Sequence, residues 1–137
     1  MIKKIISGGQ PGVERAALDA AIKLNIPHSG WTYKTRRTDE GILPDKYSVK
    51  ESAAVDFSDR IEKNVLDSDA TAILTHGSLT IGLKIVKDYA EKHNRPYLHV
   101  ADARNIFHYF HIEGIWCCNG HVSIFNGDRK DQVFHGE

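Results

Sequence analysis

The sequence has only two cysteines in 137 residues, and these two, Cys117 and Cys118, are adjacent. Adjacent cysteines cannot build a disulfide framework, so a stapled secreted scaffold is excluded and a reducing compartment is expected. No apolar run is long enough to span a bilayer. The first six residues reach Ser7-Gly8-Gly9 too soon for a secretory leader. The chain is therefore expected to be soluble and cytoplasmic, with no membrane partner. Net charge is also missing, since 18 acidic residues balance 18 basic ones. General nucleic-acid binders are usually basic, so no nucleic-acid partner is expected.

What is present alternates between strand, glycine turn and helix, the pattern of an α/β domain. Residues 2–6 are short, apolar and β-branched, a buried first strand. After the glycine loop, Val13, Ala17, Ala20 or Ala21 and Leu24 recur at helical spacing, and Pro27 marks the exit. A short second strand is expected near 28–31. Residues 32–55 lose periodicity: Lys34, Arg36, Arg37, Asp39, Glu40, Lys46 and Lys50 surround Gly41 and Pro44, a long loop of the kind that is more often functional or disordered than neutral. Residues 56–67 read as a helix with Phe57, Ile61 and Val65 on one face. Residues 70–75 suit a strand buried on both faces. A third helix runs to about residue 92, and strands are expected at 97–100 and 121–125. Residues 105–112 allow a helix, and the last dozen are polar and expected to be loose. The whole of 1–137 reads as one ligand-binding domain.

The strongest chemical signal is Ser7-Gly8-Gly9-Gln10-Pro11-Gly12, followed by Arg15. Glycines after a buried strand let main-chain N–H groups face an anion without Cβ obstruction, and the helix that follows adds its positive dipole end. Arg15 in the first turn offers a charge-assisted contact. The spacing matches neither a dinucleotide fingerprint nor an NTPase loop. A tight turn without a ligand is the plain alternative. A second strand-to-helix turn spans Thr75, Gly77, Ser78, Leu79 and Thr80, where the hydroxyls could meet a phosphate or merely cap the helix. Arg60, Asn64 and Asp67 form one helical stripe, readable as ligand contacts or as a solvated face. Arg36 and Arg37 could fold over an anion, and Trp31 and Tyr33 could stack on an aromatic ligand or fill a core edge. His108 and His111 lack a convincing third ligand, so no metal site is expected. No nucleophile elbow is present.

Several segments together resemble one family. Residues 4–21, then Ile26-Pro27-His28-Ser29-Gly30-Trp31, Arg36-Arg37 with Glu40-Gly41, residues 60–71 and Gly77-Ser78-Leu79-Thr80-Ile81-Gly82 resemble the molybdenum cofactor carrier family. The resemblance runs over about residues 3–100. That family is similar to the lysine-decarboxylase-like phosphoribohydrolases and the DNA-processing protein A family. The resemblance implies a Rossmann-like three-layer sandwich with a mostly parallel central sheet, a homo-oligomer (dimer or tetramer), and a phosphate-bearing ligand, here molybdenum cofactor (molybdopterin). It also implies that Asn64 and Asp67 lie beside the cleft. Two departures stand out. The family's second loop resembles Gly-Pro-Leu-Thr-Gly-Gly-Thr, where this chain has Ser78, Ile81 and Leu83 in place of Pro, Gly and Thr. Its C-terminal Leu-Asn-Val-Ala-Gly-Pro-Arg is represented here by residues 124–129.

These observations favour a non-catalytic carrier. Main-chain donors at Gly8, Gly9 and Gly77 would hold the phosphate, Arg15, Arg36 or Arg37 would offset its charge, and Asn64 and Asp67 would meet the ring edge. Ser7, Gln10, Gly12, Thr75, Ser78, Leu79 and Thr80 complete the expected site. A nucleotide-processing hydrolase of the phosphoribohydrolase type is the alternative. It would need the Pro-Gly-Gly-x-Gly-Thr pattern, which residues 77–83 lack, and Asp88 and Glu91 are the only nearby acids. A nucleotide-sensing module is the third reading.

Overall fold

A computed structural model describes residues 2–53, 56–75, 77–101 and the backbone of 120–125. The elements, in chain order, begin with β1 (Lys4–Ile6), α1 (Val13–Lys23), β2 (His28–Ser29) and β3 (Trp31–Thr32). A short turn at Lys34–Arg36 leads to β4 (Arg37–Thr38), β5 (Gly41–Ile42) and β6 (Lys50–Glu51). Then come α2 (Phe57–Asp67), β7 (Ala70–Leu74), α3 (Ile81–Lys92), β8 (Tyr97–Val100) and β9 (Gly120–Phe125).

The main sheet has the order β2-β1-β9-β7-β8. Strands β1 and β2 pair in parallel, as do β7 and β8, while β9 runs antiparallel to both of its neighbours, β1 and β7. The architecture is thus mixed α/β with parallel pairs on both flanks. Four strands share one direction, and the expectation of a mostly parallel sheet is corrected at the central position, which an antiparallel strand occupies. Segment 121–125 reads as a strand in the sequence, but direction is set by how the chain returns to the sheet, which no local pattern records.

The helix ends have local causes. Asp56 caps α2 by accepting from the Ser58 amide at 3.0 Å, and Thr80 caps α3 by accepting from the Leu83 amide at 3.4 Å. Helices α1 and α3 end alike: Asn25 and Asn94 take left-handed backbone (φ 54° and 53°). The amides of Ile26 and Arg95 then reach back to the carbonyls of Ala21 and Ala90, and a proline follows each turn. Buried side chains form two clusters. Ile61, Val65, Ile73, Leu83, Val86 and Ala90 join α2, β7 and α3. Leu18, Leu43 and Tyr47 pin the loop after β5 onto α1.

The long segment after residue 32 is more ordered than its lack of periodicity predicts. Strands β3 and β6 pair in parallel, and β4 and β5 form a small antiparallel ladder. One side chain does much of the rest. The Arg36 guanidinium donates to the carbonyls of Leu43, Pro44, Tyr47 and Val49 at 2.8–3.2 Å. Those bonds offset the left-handed backbone of Thr35 and Arg36 (φ 64° and 57°), which costs about 1–2 kcal/mol per residue. Backbone satisfied by a side chain leaves no hydrophobic period to read.

Among the described residues, no helix is long and apolar enough to cross a membrane. The helix expected at 105–112, the loose last dozen residues, His76, His108, His111, Cys117 and Cys118 lie outside the described residues.

Candidate functional site

The first strand-to-helix turn is built around buried glycines. Ser7, Gly8 and Gly9 are all buried. The Ser7 hydroxyl donates to the Glu14 carbonyl at 2.8 Å and accepts a long bond from the Gly9 amide at 3.5 Å. The amides of Gly8, Gln10, Gly12, Val13 and Glu14 have no acceptor among the described residues. Most of these lie at the N-terminal end of α1, where unpaired amides and the helix dipole favour an anion. Gly9 and Gly12 have positive φ (75° and 99°), which suits glycine. Gly30, between β2 and β3, closes the turn from behind: a Cβ there would lie 1.9 Å from the Ser7 carbonyl oxygen.

Arg15 stands at the mouth of this turn. Its Nε and Nη2 lie 3.4 Å from the Gly9 carbonyl, Nη2 also lies 3.4 Å from Thr38 Oγ1, and Nη1 pairs with Glu40 at 3.6 Å. Gln10 Nε2 donates to the Arg37 carbonyl at 3.5 Å, tying the glycine loop to β4.

Behind Gly8 lies a buried ion pair. Arg60 Nη1 meets Glu14 Oε1 at 3.2 Å, with side chains only 8% and 9% exposed. A Cβ on Gly8 would sit 2.5 Å from Arg60 Nη1 and 2.6 Å from Glu14 Oε1, so the glycine makes room for the pair. The guanidinium also lies over the Tyr33 ring, 4.6 Å from its centre. Burial works against the charged guanidinium, but Glu14 and Tyr33 outweigh it and hold its pKa above the ordinary value.

The second turn is arranged differently. The Gly77 amide, expected to face an anion, donates to the Ala101 carbonyl at 2.6 Å. Thr75 is buried, and its hydroxyl donates to the Gly77 carbonyl at 2.6 Å and lies 2.8 Å from His99 Nε2. With that one hydrogen directed at Gly77, Thr75 accepts from the imidazole N–H. Thr80 caps α3, Leu79 packs against the α2–α3 core, and Ser78 is exposed. Ile81, where the resembled family has glycine, begins α3 with ordinary backbone and is 82% exposed. The two turns leave the same end of the sheet with β9 between their strands, a separation of roughly 10 Å at two strand spacings.

The stripe on α2 faces β3, with Arg60 and Asn64 buried and Asp67 exposed at its end. Asn64 is fully buried: its Oδ1 accepts from the Trp31 amide at 2.8 Å and its Nδ2 donates to the Trp31 carbonyl at 3.1 Å. Asp67 accepts from the Trp31 indole N–H at 2.8 Å. Both side chains hold the strand that leads to Tyr33. Arg36, likewise, is engaged with four carbonyls, whereas its neighbour Arg37 is exposed.

Beside the glycine loop opens a cavity of about 500 Å³. Gln10, Tyr33, Lys34, Arg37, Thr38 and Asp39 form its wall, together with Thr35. Of the residues read from the sequence as ligand contacts, Gln10, Arg37 and Tyr33 line it. Lys34 was legible only as a member of a basic stretch. Glu14 and Arg60 were legible as an acid in the first turn of α1 and the head of the α2 stripe, but nothing in the sequence pairs residues so far apart.

Comparisons with known proteins agree with this architecture. No curated protein matches the chain. A crystal structure of a protein from Syntrophus aciditrophicus SB, described as "Putative molybdenum carrier protein", is 48% identical, with a TM-score of 0.72. The match covers 76% of this chain and 65% of that one, so this chain spans about two thirds of its relative's length. The model of the circularly permutated YpsA SLOG family matches residues 5–128, nearly the whole sequence. The chain belongs to the circularly permutated YpsA SLOG family.

Proposed function

We propose that this chain is a binding protein, a carrier for molybdenum cofactor (molybdopterin) or a related phosphorylated heterocycle, with the phosphate seated on the main-chain amides of the loop 7–12. One observation carries the reading: beside the Arg15 guanidinium, Gly8, Gln10, Gly12, Val13 and Glu14 offer amides that no described residue accepts from, leading into α1. Arg15 lies within reach to offset the charge. The name of the 48%-identical relative supports a carrier role. A carrier needs burial and protection for its cargo rather than a tuned acid or base.

In this reading the whole chain is a single Rossmann-like domain with helices layered on the sheet, working in the cytoplasm as a homo-oligomer. Ser7, Gly8, Gly9, Gln10, Gly12 and Arg15 form the phosphate side. Thr75, Gly77, Ser78, Leu79 and Thr80 shape the far wall, and Arg36, Asn64 and Asp67 act by holding the segment between Trp31 and Val49 in place.

Calorimetric titration with a phosphorylated pterin and its dephosphorylated counterpart tests the proposal. Stoichiometric binding of the phosphorylated compound alone is expected. The thermal midpoint should rise with it, since ligand at a hundred times Kd stabilises the native state by about 2.7 kcal/mol. Equal binding of both compounds, or of neither, contradicts the reading.

A further inference from the structure

The cavity beside the glycine loop has an aromatic wall with an unusual backing. From the interior outward, Gly8 packs against the Glu14–Arg60 pair, and Arg60 lies over the Tyr33 ring at 4.6 Å from its centre. Tyr33 in turn lines the cavity. Arg60 is almost completely buried and lies over the ring, and Tyr33 also borders the cavity. Asn64 clamps both main-chain groups of Trp31 two residues earlier, which fixes where the ring sits. An aromatic side chain held this firmly loses little freedom when a planar ligand stacks on it. The same wall supplies two cations, Lys34 and Arg37, against one carboxylate, Asp39, and so favours an anionic ligand. Its volume of about 500 Å³ falls in the usual range for small-molecule sites.

We propose that Tyr33 is a stacking platform for the planar ring of the ligand, so that this site selects aromatic heterocycles bearing a phosphate over sugar phosphates. The inference rests on the preceding reading, that a phosphate seats on the glycine loop, and assigns the other half of the ligand to the cavity. Lys34 and Arg37 face the charged end, and Arg60 fixes the ring from behind as a positioning residue.

The test compares guanosine monophosphate with ribose 5-phosphate by calorimetric titration of the full chain. Wild-type protein should bind the aromatic probe on the order of tenfold or more tighter, the scale of one ring stacked on an aromatic side chain. Tyr33→Leu should reduce that ratio to near one while leaving ribose 5-phosphate affinity unchanged, and Tyr33→Phe should keep the ratio. Equal wild-type affinity for the two probes overturns the platform but leaves the phosphate reading standing. Equal loss of both probes in Tyr33→Leu assigns the residue a purely structural role and also overturns it. Failure of both probes to bind overturns the platform and the phosphate reading together. Should Tyr33→Leu not fold, the wild-type ratio and Tyr33→Phe decide.

Discussion

The turn after β1 and the turn after β7 occupy equivalent places, each carrying the chain from the end of a parallel strand into a helix. They differ in what surrounds their glycines and in the charge beside them. After β1, five amides have no acceptor among the described residues, and the glycines are buried against an ion pair, a leucine and a strand. After β7, the Gly77 amide and the Thr75 and Thr80 hydroxyls are engaged internally, the amides of residues 78–82 likewise have no acceptor among the described residues, and a Cβ on Gly77 or Gly82 would meet nothing within 4 Å. Glycine and hydroxyl residues at a strand exit therefore do not make an anion site by themselves. Amides without an acceptor open both helices, so what sets the first turn apart is the burial of its glycines by neighbours distant in sequence and the Arg15 guanidinium beside them.

Glycine substitutions sharpen this contrast. Gly30→Ala should be the most damaging, because its Cβ would collide with the Ser7 backbone. A loss above about 4 kcal/mol, or no folded protein, is expected in urea unfolding. Next comes the ion pair behind Gly8. Arg60→Met leaves the Glu14 carboxylate buried and should cost about 3–5 kcal/mol, while the double variant with Glu14→Leu should recover much of it. If the double variant is as unstable as the single, the pair is not what supports the first turn.

At the second turn smaller effects are expected. Gly77→Ala must adopt a φ of 113° and should cost about 1–2 kcal/mol. Thr80→Ala should cost about 1 kcal/mol through the lost cap. Neither should change phosphate affinity, and a loss of affinity in either would erase the distinction between the turns. Gly82→Ala, inside α3 with open space around it, should stabilise the protein by about 0.5–1 kcal/mol.

Legibility in the sequence follows the same division. Helices α1, α2 and α3 and strands β1, β7 and β8 could be read to within a residue or two, because their apolar spacing and the prolines after α1 and α3 are local. The sheet order and the antiparallel β9 could not. The first turn was readable as glycine chemistry, but the buried Glu14–Arg60 pair that requires Gly8 was not. Asn64 and Asp67 show how a stripe can be located correctly while its partner stays hidden: both serve Trp31, which the helix pattern does not point to. In the segment after residue 32, Arg36 binds four carbonyls and the buried apolar anchors are Leu43 and Tyr47, too few to set a period.

The loop packed behind the first turn has its own pH signature. Tyr47 donates to Asp19 at 2.6 Å, and burial, then Asp19, pushes its pKa up to about 12. A proton held more tightly in the folded state stabilises it fully below the ordinary tyrosine value near 10. That contribution should be lost as pH rises from about 10 through about 12. Unfolding midpoints measured across this window should fall in the wild type and fall less in Tyr47→Phe.

Titrating isotopically labelled protein with inorganic phosphate, and following each main-chain amide by NMR, bears most directly on the difference between the two turns. Shifts concentrated at Gln10, Gly12, Val13 and Glu14, with Gly77 and Ser78 unmoved, are the expected result. Shifts centred on residues 77–80, or no saturable shift in the loop 7–12, would contradict it.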